Sequence, residues 1–197
     1  MNSITEYYMA QAISVVFHPL LIPSWLTLLL YKDLLPVMFV YTALVPALCI
    51  YVLYKLNWIQ TLDLSDRQER SLPYALCLVC YLICIVRLEH SDMPFLGTIM
   101  MIGACLTLWI VMLFNRRWKV SAHAAGMGGV MGFTIACMLF KRSMLWYPLL
   151  TVAALSLVVI YARLYLNAHT WKQMVAGWLT GVVMTIVPYG YILCLHS

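Results

Sequence analysis

The stretch YARLYLNAHTWKQMVAGWLTG, residues 161–181, sets Arg163, His169 and Gln173 inside a long apolar run. Arg163 precedes His169 by six positions and Gln173 follows it by four. If a helix begins near His169, Gln173 lies one turn along on the same face. Its side-chain oxygen can then accept from the imidazole Nδ1–H, fixing the tautomer that leaves Nε2 free as a nucleophile. Arg163, ending the preceding helix, offers a planar fork of donors suited to phosphate oxygens. Together these are the parts that phosphoryl transfer to histidine needs. The competing reading is an arginine snorkelling to lipid headgroups beside a histidine satisfied in a turn.

A second polar stretch, NRRWKVSAHAAGMGG at residues 115–129, carries Lys119, Ser121 and His123. The spacing predicts a helix starting near Ser121, whose free N–H groups and positive dipole end favour a bound phosphate. Ser121 either caps that helix or bonds a phosphate oxygen. His123 could protonate a leaving alcohol and then activate water. Arg116 and Arg117 read as topology or headgroup charges. Gly126, Gly129 and Gly132 predict a smooth face for close helix approach. A third stretch, LDLSDRQERSLP at 62–73, places Arg67 and Arg70 on neighbouring helical positions. They either add positive charge to a phosphate site or are neutralised by Asp66 and Glu69.

The elements that must position these residues are membrane spans. The chain has 197 residues, 64% hydrophobic and only 10% charged, against about 45–50% and about 25% in soluble domains. This composition specifies an all-α integral membrane protein, a single domain over 1–197 built as a bundle of six to seven transmembrane helices. Spans are expected near 9–31, 34–56, 72–88, 94–114, 122–140, 146–166 and 171–194. The N-terminal segment lacks a basic n-region, so no cleavable signal peptide is expected. Alternation across the bilayer brings the N-terminus and the 57–71, 115–121 and 163–170 connections to one face. The site therefore belongs at one membrane face. A net charge of +5 in short clusters suits headgroups or anionic ligands, with no nucleic-acid stripe. All seven cysteines fall in apolar segments. Cys77, Cys80 and Cys84 share a helical face and read as packing residues, since no histidine or carboxylate partner lies nearby in sequence. His18, before Pro19 in the first span, either bonds a carbonyl freed by a kink or faces the site cavity.

Taken in order, the three stretches resemble the type 2 phosphatidic acid phosphatase superfamily, membrane relatives of the vanadium haloperoxidases. That family carries KxxxxxxRP, PSGH and SRxxxxxHxxxD; here the corresponding segments read DRQERSLP, VSAH and ARLYLNAHTWKQ. The resemblance covers about residues 60–181. It implies His169 as the nucleophile forming a phosphohistidine and His123 as general acid. Arg163 would clamp the phosphate, helped by Ser121 and one or both of Arg67 and Arg70. Gln173 stands where the family has aspartate, Val120 and Ala122 where it has proline and glycine, and Asp63 at its lysine position. Arg67 or Lys119 would have to replace that lysine. A neutral acceptor at position 173 predicts a slowed site.

The expected activity is hydrolysis of a lipid phosphate monoester or a polyprenyl pyrophosphate, without metal or other cofactor. The alternative is a weakened or inactive relative that binds lipid headgroups or serves structurally. A small transporter fits less well, because the polar residues gather at one face and not at midplane. The expected location is a bacterial inner (cytoplasmic) membrane. Eight Lys and Arg residues lie on the site side against four opposite. Setting aside Arg67, Arg70, Lys119 and Arg163 as phosphate ligands leaves four on each side, so the charge rule does not orient the site.

Overall fold

The computed structural model describes residues 2–64, 66–90, 94–141 and 146–195. Every regular element among them is helical. Six stretches are long and apolar enough to cross a membrane: Lys32–Lys55, Gln68–Glu89, Phe95–Asn115, Ala122–Leu139, Trp146–Tyr165 and Trp171–Tyr191. The protein is an all-helical, multi-pass membrane bundle.

The expected first span, 9–31, is not one helix. α1 covers Asn2–Val16 and α2 covers Ile22–Leu30. Pro19 cannot donate to the ladder and its ring opposes the carbonyl one turn back, so α1 ends before it. α2 restarts with Pro23 in its first turn, where a missing N–H costs nothing. The two form a broken crossing. The Tyr165 hydroxyl donates to the Glu6 carboxylate at 3.1 Å, placing the start of α1 at the site end of the bundle. Leu34, just past α2, packs against Gly97 at the opposite end.

The next crossing begins with a 3₁₀ turn at Lys32–Leu34 and runs through α3 (Leu35–Phe39), a π turn at Val40–Leu44 and α4 (Val45–Lys55). Pro46 removes the N–H that would reach the Thr42 carbonyl, and the wider π turn accommodates it. The Thr42 hydroxyl meets Ser24 of α2 at 3.2 Å. A 3₁₀ turn at Gln68–Arg70 leads into α5 (Ser71–Glu89), followed by α6 (Pro94–Asn115), α7 (Ala122–Lys141), α8 (Trp146–Tyr165) and α9 (Trp171–Leu195).

α7 and α9 approach backbone to backbone. A Cβ at Gly128 would collide with the Trp178 carbonyl, and one at Gly181 with the Ala125 carbonyl. At Gly132 it would lie 2.5 Å from the Val182 oxygen, and at Gly177 2.5 Å from the Ser121 oxygen. These pairs are four apart on each helix, the spacing of small-residue membrane contacts. Of the smooth face expected from Gly126, Gly129 and Gly132, the close helix approach holds at Gly132 against α9 and at Gly126 against α2, and not at Gly129. Gly126 faces Ile22 of α2, and a Cβ at Gly129 would meet only Thr185 Oγ1, at 3.6 Å. Gly177 and Gly181 serve packing within the chain. Cys77, Cys80 and Cys84 are buried along α5, and among the described residues no cluster could hold a metal ion.

Candidate functional site

The positions of Arg163 and His169 follow from one helix ending and the next beginning. Asn167 takes the left-handed conformation at φ 52°, which asparagine tolerates better than most residues. The Asn167 N–H bonds the Leu164 carbonyl at 2.9 Å and the Ala168 N–H bonds the Arg163 carbonyl at 3.1 Å. That pair of bonds is a Schellman closure, and it stops α8 sharply. α9 then opens with one arm of a capping box: the Thr170 N–H donates to Gln173 Oε1 at 2.9 Å. Two cap motifs thus hold His169 in a short connection beside the last turn of α8.

Gln173 therefore does not orient His169. Its oxygen is engaged by Thr170, while its own carbonyl accepts from the Ser121 N–H at 3.3 Å. The Lys119 carbonyl lies near the imidazole and favours its protonated form. Nδ1 is buried without a hydrogen-bond partner, so the orienting acceptor expected from Gln173 is not in place. His169 is 7% exposed. Burial first, then the charges of Arg70, Arg163 and Lys119, push its pKa down to about 3.

Arg70 comes to the same place from the 57–70 connection. Leu64 adopts φ 51°, a conformation costing a branched residue about 1–2 kcal/mol. Its carbonyl accepts from Arg70 Nε at 2.8 Å, and Arg70 and Tyr74 line the same cavity. Asp66 and Glu69 accept from the backbone amides of Gln68 and Gln60 at 2.9 and 3.0 Å. Of the two arginines, Arg70 is buried and lines the cavity. Arg67 contributes its carbonyl, which accepts from Asn115 Nδ2 at 2.8 Å and ties this turn to the end of α6.

His123 Nε2 donates to the Ser14 carbonyl at 3.0 Å. Its ring meets His18 edge to face, with centroids 5.5 Å apart. His18 Nδ1 accepts from the Leu20 N–H at 3.3 Å, so the break between α1 and α2 turns its ring inward. Ser121 is fully buried and caps α7 by accepting from the Ala124 N–H at 3.3 Å. Of its two expected roles, the cap is the one observed. Lys119 sits beside the cluster, its pKa lowered by burial and by Arg70 and Arg163, with Asp63 and Asp66 opposing.

His18, Arg70, His123, Arg163 and His169 line one cavity of about 90 Å³, together with Asp63, Tyr74 and Cys77. Four of the expected site residues therefore meet in its wall: His169, His123, Arg163 and Arg70. Lys119 lies at its edge, while Ser121, Gln173 and Arg67 hold the surrounding backbone. Asp63 and Tyr74 enter as residues whose place the sequence reading did not foresee. Only the seven-residue offset between Asp63 and Arg70 hinted at the first. Two buried polar atoms at this cavity have no partner, Arg163 Nε and His169 Nδ1. One is a cationic donor and the other an imidazole nitrogen, so a ligand bearing oxygen acceptors satisfies the arginine and sits against the ring. Comparison with protein-family models, with curated proteins and with solved structures returned no match.

Proposed function

We propose that the protein is a membrane phosphatase that removes phosphate from a lipid phosphate monoester or pyrophosphate through a phosphohistidine. The observation that carries this reading is the convergence of Arg70, Arg163, His123 and His169 on one cavity, with Arg163 Nε and His169 Nδ1 both unpartnered. A phosphate ester answers both: its oxygens accept from the arginines, and its phosphorus faces the histidine lone pair. The resemblance of ARLYLNAHTWKQ and VSAH to the phosphatidic acid phosphatase motifs supports the same assignment.

In this reading Nδ1 of His169 attacks phosphorus as the bond to the leaving oxygen breaks. Arg70 and Arg163 balance the charge on the phosphoryl oxygens. With its Nε2–H held by the Ser14 carbonyl, His123 enters the cycle protonated on Nδ1, delivers that proton to the leaving oxygen, and regains one on Nδ1 from the water that cleaves the phosphohistidine. The cations and burial that hold His169 neutral keep its lone pair available. The site lies at one end of the bundle, where a lipid headgroup resides. Purified protein in nanodiscs, assayed for phosphate release from phosphatidic acid and polyprenyl pyrophosphate, tests this. His169→Ala should abolish release and the acid-labile phosphoenzyme; full release by that variant would overturn the mechanism.

One observation favours a second reading, a headgroup-binding relative without turnover. Asp63 places a carboxylate in the cavity wall, where an anionic ligand gains less. Retained phosphate binding by His169→Ala, with no turnover by either protein, is the result expected on that reading.

A further inference from the structure

Beside the arginine–histidine cavity lies a second one of about 90 Å³. The two share Pro19, Tyr81, Leu108 and Ala122, so they adjoin. Their chemistry differs sharply. The second has no charged residue in its wall and runs along α7 from Ala122 to Phe133, about 16 Å at 1.5 Å per residue. Its existence has local causes. The Pro19 break offsets α2 from α1, and Pro19 and Pro23 both face the void. Gly129 presents no side chain on the opposite wall, where a Cβ would meet only Thr185 Oγ1. By the measure in which one water needs about 10–15 Å³, this volume holds roughly six to nine waters, or about eight methylenes. Apart from the buried, unpartnered Thr107 hydroxyl, the wall is largely apolar, and voids of that character accept apolar guests.

We infer that this cavity receives the first methylenes of a single hydrocarbon chain esterified to the phosphate in the adjoining cavity. The inference rests on the proposed phosphatase reading and narrows its substrate to single-chain alkyl or prenyl phosphates. One narrow void admits one chain, so the second chain of a diacylglycerol phosphate is left to the wider apolar groove of about 640 Å³ that meets this void at Ile22, Leu26, Val130 and Phe133, away from the phosphate cavity. Lipid is as apolar as the cavity, so entry brings no hydrophobic gain. The cavity acts by aligning the ester with His169, and selectivity is a matter of shape.

The test fills the void at Gly129. Wild type and Gly129→Leu are assayed on ethyl phosphate, octyl phosphate and dioctanoyl phosphatidic acid. Wild type should prefer octyl phosphate to dioctanoyl phosphatidic acid by tenfold or more in kcat/KM. Gly129→Leu should lower the octyl-to-ethyl ratio at least tenfold; an unchanged ratio overturns the inference. Ala104→Leu, filling the void from α6, gives the same readout should Gly129→Leu not fold. A binding experiment separates this inference from the phosphatase reading. Octyl phosphonate bearing a terminal diazirine should label peptides containing Leu26 or Phe133 in wild type and His169→Ala, and not in Gly129→Leu. Absence of hydrolysis with that labelling pattern removes the phosphatase reading and keeps the chain site. Labelling confined to outward residues such as Leu29 removes the chain site.

Discussion

The protonation state of His169 is the most exposed consequence of this site. Its ring is buried and flanked by Arg70, Arg163 and Lys119, which bring its pKa to about 3 against the opposing pull of the Lys119 carbonyl. Against an ordinary value of about 6.5, placing a proton there costs on the order of 5 kcal/mol. At pH 5 a group titrating near 3 is almost wholly neutral, whereas an unperturbed imidazole is only about 3% neutral, roughly a 30-fold difference in available lone pair. Burial is the largest cause, so Arg70→Gln should raise the pKa without restoring the ordinary value. A bound phosphate, supplying negative charge among the three cations, should raise it as well. Nitrogen-15 histidine NMR in micelles, with His169→Gln for assignment, measures all three. The linkage has a definite sign. A lowered folded pKa leaves stability untouched above about pH 6.5 and erodes it as the pH falls from there toward 3. Titration of His169 near 6.5 in the free protein, or a pKa indifferent to phosphate, would refute the cluster as described.

Gln173→Ala should lower thermal stability by about 0.5–2 kcal/mol through loss of the cap on α9, while Gln173→Glu keeps the box and the stability. Gln173→Asp should bring no gain in turnover, since residue 173 does not touch His169; a rise in kcat would show otherwise. Gly128→Ala and Gly181→Ala should each destabilise by about 1–3 kcal/mol or more, because the added Cβ meets a carbonyl that cannot move alone. Gly129→Ala should be close to neutral in the same detergent melt. Asp63→Asn should lower KM for a phosphate ester about two- to fivefold, the range of a partly exposed charge interaction, and a raised KM would place Asp63 outside the site.

Much of this protein is legible in the sequence because the bilayer imposes simple demands. Long apolar runs must be helices, since unpaired backbone groups are not tolerated in hydrocarbon. Alternating spans then force the connections at 57–71, 115–121 and 163–170 to one face. Arg163, His169 and His123 could be picked out on that basis, as polar groups beside apolar runs. The first crossing was less legible, because hydropathy counts residues 9–31 as continuous and is blind to the missing N–H of Pro19. The roles of Gln173, Ser121 and Arg67 were decided only by tertiary structure. Each offers side-chain or main-chain groups that serve a cap, a turn or a ligand equally well, and only the geometry of the α9 start, the α7 start and the turn before α5 selects among them. The main-chain carbonyl that faces His169 is that of Lys119, fifty residues earlier. Every residue has a carbonyl, so side-chain identity cannot reveal which one a fold will bring to a histidine.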